Sequence, residues 1–155
     1  MALSFNSFLF SALSAHVLPL FHGIGLSSGE VVGVSSLIGP AQVASRLAEM
    51  LLGRRITATQ LGAAAFGMVP VSFAALFIGG VSYQAATLFA LLYGASNGVI
   101  TIARGVVPLA LFGRQGYAEV LGIIGVPSLI LSALAPLIFA WILQGLSAPG
   151  AFALL

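Results

Sequence analysis

From Ile56 to Ala103 no side chain carries a formal charge. One bilayer crossing needs about 20 apolar residues, so this run is too long for a single span and must cross, turn and cross back. Extending the same reading along the chain gives spans at about 5–24, 31–52, 57–79, 84–104 and 117–143, with 151–155 left as the stub of a sixth. The breaks carry turn chemistry: Gly25 to Glu30, Gly53-Arg54-Arg55, Gly79-Gly80 with Ser82, and the stretch after Leu143. The segment from Gly105 to Gly116, with Pro108 and Arg114, reads as an interfacial turn or half-helix. Only helices suit segments of this length, because lipid leaves open backbone groups without partners. Outer-membrane barrel strands are about ten residues long, which excludes that class. The expected fold is an all-α polytopic membrane protein, a single bundle of five transmembrane helices plus the stub. Pro19, Pro40, Pro70, Pro127 and Pro136 fall inside spans and should kink them. Gly94 and Gly98, extended by Ala90, let the fourth helix approach a neighbour closely.

Composition strengthens the membrane assignment. The chain is 60% hydrophobic and 5% charged, with mean hydropathy +1.17, against about 25% charged residues in soluble domains. A net charge of +2 is spread over too few, too scattered basic residues for a nucleic-acid face. These residues act instead as topology signals. Arg54-Arg55 and Arg114 fall on one side and Glu30 on the other, so the positive-inside rule puts the N-terminus in the cytoplasm of a cell whose cytoplasmic (inner) membrane holds the chain. With no cysteine there is no disulfide, thiolate metal site or Cys nucleophile. The N-terminus lacks the basic residues of a signal peptide, so the first apolar stretch is expected to remain.

Function then rests on the few polar groups at depth. At 1.5 Å per residue, His16, Gln42, Tyr93 and Asn97 fall near the middle of the first, second and fourth spans. The third offers only Met68, Val69 and Val71 there, so it should face lipid while the others turn inward to a shared cavity. Arg46 lies one turn from Gln42 on the same face, and Asn97, Thr101 and Arg104 form a polar stripe descending to the same side. Arg46 and Arg104 suit either a cytoplasmic gate or interfacial anchoring, and Glu49 is spaced to pair with Arg46. His16 suits substrate or proton binding, or alternatively a structural hydrogen bond to a neighbouring helix. His22 lies on another face and no carboxylate stands beside either histidine, so neither a metal nor another cofactor is expected. Gly25-Leu26-Ser27-Ser28-Gly29 matches the nucleophile-elbow pattern but lacks the strand-to-helix setting that gives the pattern meaning. Ser27 and Ser28 suit a helix cap with Glu30 in the first turn, and no enzyme is expected.

Several of these segments resemble a known family. Ile38-Gly39-Pro40-Ala41-Gln42-Val43-Ala44-Ser45-Arg46, the following Gly53-Arg54-Arg55, Tyr93-Gly94-Ala95-Ser96-Asn97-Gly98 and Phe112-Gly113-Arg114 resemble the C-terminal six-helix half of a major facilitator superfamily transporter. Gly53-Arg54-Arg55 resembles the tail of that superfamily's loop signature, although Met50 stands at the signature's aspartate, with Glu49 one place away. The resemblance implies transport of a small solute by alternating access, with the first and fourth helices lining the cavity and the third facing outward. It also implies His16, Gln42, Tyr93 and Asn97 at the solute or proton site, and Arg46, Glu49, Arg54, Arg55 and Arg104 at the cytoplasmic gate. The partners would be the bilayer, a small molecule, and a second six-helix half or another copy. Such carriers have about twelve spans, so the chain reads as a fragment, an interrupted frame, or a subunit needing a partner half. The alternative is a non-transporting multispan scaffold or an inactive transporter fragment.

Overall fold

The computed structural model describes residues 2–23, 25–52, 56–80 and 82–145, and all regular structure among them is helical. The order is α1 (Ala2–Gly23), α2 (Ser28–Leu52), α3 (Ala58–Gly79), α4 (Tyr83–Phe112) and α5 (Tyr117–Gly145). Arg54, Arg55 and the stub at 151–155 lie outside the described residues. Ser4–Gly23 of α1, all of α3 and α4, and Tyr117–Ile138 of α5 are long and apolar enough to cross a membrane. α2 has the length, 25 residues, but carries Glu30, Arg46 and Glu49 and is less apolar.

Local chemistry sets where these helices begin. Thr57 and Gln60 form a capping box at α3: Thr57 Oγ1 accepts the Gln60 N–H at 3.3 Å and Gln60 Oε1 accepts the Thr57 N–H at 3.1 Å. Ser82 Oγ accepts the Ala85 N–H at 3.2 Å to start α4. Ahead of α2, the Ser27 N–H and hydroxyl both donate to the Glu30 carboxylate, at 2.9 and 2.6 Å.

α4 differs from its expected extent. It runs unbroken for 30 residues, through Pro108, where the sequence suggested an exit from the helix after Arg104. Proline removes one internal N–H donor, but the Pro108 ring is buried and the helix continues around it. One turn earlier, the Tyr117 hydroxyl donates to the Gly105 carbonyl at 3.0 Å. Gly113, at φ +73°, ends the helix in a conformation that side chains with a Cβ rarely adopt. Likewise α5 continues through Pro127 and Pro136 to Gly145, past the expected end of the fifth span.

The chain divides into two compact units. One comprises Met1–Val31 and Ala118–Leu155, and so contains α1, the first residues of α2, and α5. Ser128 meets Ser4, Ser11 meets Ser132 and His16 meets Pro136. Numbers rise together on both helices, so α1 and α5 run parallel. α1 buries Leu9, Leu13, Leu20 and Phe21. Among its described residues α5 buries only Ser128 and Ala135, and it presents Ile123, Leu129, Leu137 and Trp141 at 70–77% exposure. A face this apolar suits lipid, not water.

The second unit, Val32–Tyr117, holds the rest of α2 with α3 and α4. Ile38 and Ala41 lie opposite Gly94, and Gln42 and Ser45 opposite Gly98, so α2 and α4 run parallel. Ala65 pairs with Ser96 and Phe73 with Phe89, so α3 runs antiparallel to α4. α3 buries Leu61, Ala65, Val69, Ser72, Phe73 and Leu76, a three-and-four spacing that makes one helical face. Its expected lipid-facing middle is therefore divided: Val69 is buried while Val71 is exposed.

Candidate functional site

Tyr93, Asn97 and Thr101 recur every four residues along α4 and share one face. Asn97 Nδ2 donates to the Tyr93 carbonyl at 2.9 Å, and the Thr101 hydroxyl donates to the Asn97 carbonyl at 2.8 Å. These bonds run back to the preceding turn, as Thr and Asn commonly make them inside helices. With its proton committed, Thr101 Oγ1 offers a lone pair outward and accepts from Arg46 Nη2 on α2 at 3.3 Å. A ladder of polar groups thus leads from a buried asparagine to an exposed guanidinium.

The glycines of α4 make that bridge possible. A Cβ on Gly94 would lie 2.6 Å from the Ile38 carbonyl, and one on Gly98 would lie 2.5 Å from the Gln42 carbonyl. Only glycine lets the two backbones come this close, as the Gly-x-x-x-Gly spacing suggested. The half-buried Gln42 sits at the crossing, where its carbonyl also accepts the Ser45 hydroxyl at 2.9 Å.

Tyr93 turns elsewhere. Its ring stacks on Phe89 (centroids 5.3 Å apart, planes at 10°) and meets Phe73 of α3 edge-on at 6.3 Å. Among the described residues the buried hydroxyl has no partner in hydrogen-bonding geometry, and the polar side chain that acts on it is that of Asn97, one turn on. His16 belongs to the other unit, where Nε2 lies 3.2 Å from the Pro136 carbonyl. Since a carbonyl can only accept, that contact requires the proton on Nε2. Glu49 is half-buried, and Arg104 is exposed three residues beyond Thr101. Arg54 and Arg55 lie outside the described residues. The structure therefore joins Arg46, Thr101 and Asn97, and brings the Gln42 backbone to the same crossing.

No family model, curated protein or solved structure matches this chain.

The hydroxyls carry more of the packing than the sequence suggested. Ser96, fully buried, donates to the Ala65 carbonyl at 2.7 Å and ties α4 to α3. Ser11 donates to the Ser132 carbonyl at 2.7 Å and ties α1 to α5. Serine is small and close to neutral in hydropathy, so such residues do not stand out in an apolar run. One signal was available for Ser132: it precedes Pro136 by four, so its carbonyl loses its helical donor. Among the described residues no group of three or more His, Cys, Asp or Glu could hold a metal ion. Ser27 donates its hydroxyl to Glu30 as part of a helix start, with no strand before it. Chemically, the α2–α4 crossing can hydrogen-bond and can hold an anion. Its cation, Arg46, lies six residues before the end of α2 and meets α4 at Thr101, short of the last turn of either helix.

Proposed function

We propose that this chain is half of a major-facilitator-type secondary transporter, moving a small solute by alternating access in the cytoplasmic membrane, with its N-terminus in the cytoplasm. The observation that carries this reading is the polar ladder from Asn97 through Thr101 to Arg46, set at a close crossing of two parallel helices. Polar and ionisable groups placed along a membrane helix favour a wet pathway over lipid. α2 would be the fifth crossing. It follows α4 from Gly33, beside the Tyr83 hydroxyl, to Arg46, beside Thr101, and so shares the depth of a helix apolar enough to span. In such a carrier Asn97, Gln42, Tyr93 and His16 would serve the solute or proton path, and Arg46, Glu49, Arg54, Arg55 and Arg104 the cytoplasmic gate. The other side of the path would come from a partner half.

Because the chain has no cysteine, single-cysteine variants test this directly. In inverted membrane vesicles, a charged thiosulfonate reagent should modify cysteine at Gln42, Asn97 and Thr101 at least about tenfold faster than at the exposed apolar positions Phe77 and Ile123. Equal, slow modification at all five positions would end the transport reading.

One observation favours a second reading, a non-transporting scaffold. The interhelical side-chain hydrogen bonds of Ser96, Ser11 and His16 end on backbone carbonyls of a neighbouring helix, as they would if polar groups served only to hold helices. A scaffold predicts dry cysteines at Gln42, Asn97 and Thr101, together with loss of bundle stability in Asn97→Ala.

A further inference from the structure

Near the C-terminal end of α2, Arg46 meets Thr101 of α4, and Arg104 follows Thr101 by three residues on α4. Among the described residues Arg46 makes one hydrogen bond, from Nη2 to Thr101 Oγ1. A guanidinium has five N–H donors, so most of those on Arg46 are uncommitted among the described residues. Glu49, three residues on along α2, makes no ion pair with it among the described residues. Arg104 leaves α4 one turn beyond Thr101 on the same face, and both arginines are exposed. The Thr101 hydroxyl is itself anchored to the Asn97 carbonyl, so it orients Arg46 from a fixed point.

Depth narrows the ligand. α4 is 30 residues long, or about 45 Å, as thick as the hydrocarbon core and headgroup layers together. Counted back from Phe112, Arg104 lies about 12 Å from the end of α4, close enough for its side chain to snorkel into the headgroup layer. Both guanidiniums would then reach toward the layer where lipid phosphates lie, and paired N–H donors match phosphate oxygens in a fork.

We propose that Arg46 and Arg104, set by Thr101, form an oxyanion site at the cytoplasmic end of the α2–α4 crossing, taking a phosphate group from an anionic phospholipid headgroup or from solution. The proposal rests on reading this end as the cytoplasmic boundary. Its readout is binding, so its failure leaves the transport reading standing, and dry cysteines at the crossing would leave the site standing.

The test is thermal unfolding of the purified chain in detergent, titrated with phosphatidylglycerol, with phosphatidylcholine, or with inorganic phosphate. Phosphatidylglycerol should stabilise the protein beyond phosphatidylcholine. Arg46→Gln or Arg104→Gln should each raise the half-saturating lipid level about fivefold, and the double variant more than about tenfold. Arg114→Gln, in the loop after α4, should change it less than about twofold. Should a glutamine variant fail to fold, Arg46→Lys keeps the charge but not the fork and should show an intermediate loss. An Arg46-dependent shift with inorganic phosphate alone would assign the site to a soluble anion; a shift with phosphatidylglycerol alone would assign it to lipid. Equal titrations for the wild type and the double variant, or equal losses in Arg114→Gln and Arg46→Gln, would overturn the site.

Discussion

The Ser11 hydroxyl donates at 2.7 Å to the carbonyl of Ser132, the one carbonyl in α5 that Pro136 deprives of its helical N–H. Just beyond, His16 Nε2 donates at 3.2 Å to the carbonyl of Pro136 itself. α1 thus braces α5 at its proline. Interhelical hydrogen bonds in membrane proteins are worth about 0.6 kcal/mol on average and about 1.7 at most. Ser11→Ala should cost about 1 kcal/mol, because it leaves a carbonyl unserved in an apolar setting. In a Pro136→Ala background the helix supplies its own donor to Ser132, and the same substitution should cost almost nothing. A double-mutant cycle on equilibrium unfolding measures the difference; equal costs in both backgrounds would refute the coupling.

The crossing of α2 and α4 gives a second expectation. A methyl group on Gly98 has no room, since it would meet the Gln42 carbonyl and the Ser45 hydroxyl. Gly98→Ala should destabilise the protein by about 1–3 kcal/mol, as overpacked sites do, and should separate Arg46 from Thr101. Gly39 has nothing within 4 Å of its Cβ position. Gly39→Ala should therefore be neutral or stabilising by about 0.5–1 kcal/mol, through helix propensity alone. Unfolding midpoints of the two variants check the pair, and similar losses would show that helix approach is not what Gly98 provides.

Much of this was legible in the chain and some was not, for identifiable reasons. Five helices followed from charge-free runs and turn residues, and Gly94 with Gly98 announced a close crossing. Depth placed Tyr93 and Asn97 at one level, but level says nothing of direction. The Tyr93 ring points into the aromatic cluster of α3 and α4, while Gly94, one residue on, touches α2. Apolar patterning could not assign these neighbours, because α3 and α5 are hydrophobic all round and their sequences carry no preferred face. Pro108 was misleading as a helix breaker, since a single missing donor inside a membrane helix is tolerated where neighbours serve the freed groups.

Glu30 links the start of α2 to pH. The Ser27 hydroxyl, and then the Ser27 N–H, hold its carboxyl below the ordinary value of 4.5. A carboxylate with a lowered folded-state pKa adds stability that is fully present above the unfolded value and fades as pH falls through the folded one. The melting-temperature difference between wild type and Glu30→Gln should therefore be constant above about pH 5 and shrink at lower pH. Ser27→Ala removes the larger of the two causes and should flatten the wild-type pH dependence. A difference that grows on acidification would contradict the cap.

Tyr93 separates packing from function. Its ring contributes to a cluster with Phe89 and Phe73, whereas its buried hydroxyl has no partner in hydrogen-bonding geometry among the described residues. Removing a hydroxyl that serves no partner leaves nothing unsatisfied, so Tyr93→Phe should change stability by less than about 0.5 kcal/mol or raise it slightly. Tyr93→Ala empties an aromatic site and should cost about 3–5 kcal/mol. If the hydroxyl belongs to a solute path, Tyr93→Phe should slow the modification of a cysteine placed at Asn97 while the melting temperature stays unchanged. Measured together, the two readouts decide the role. A stable Tyr93→Phe with unaltered cysteine accessibility would confine Tyr93 to packing, and a marked loss of stability would mean that the hydroxyl has a partner after all.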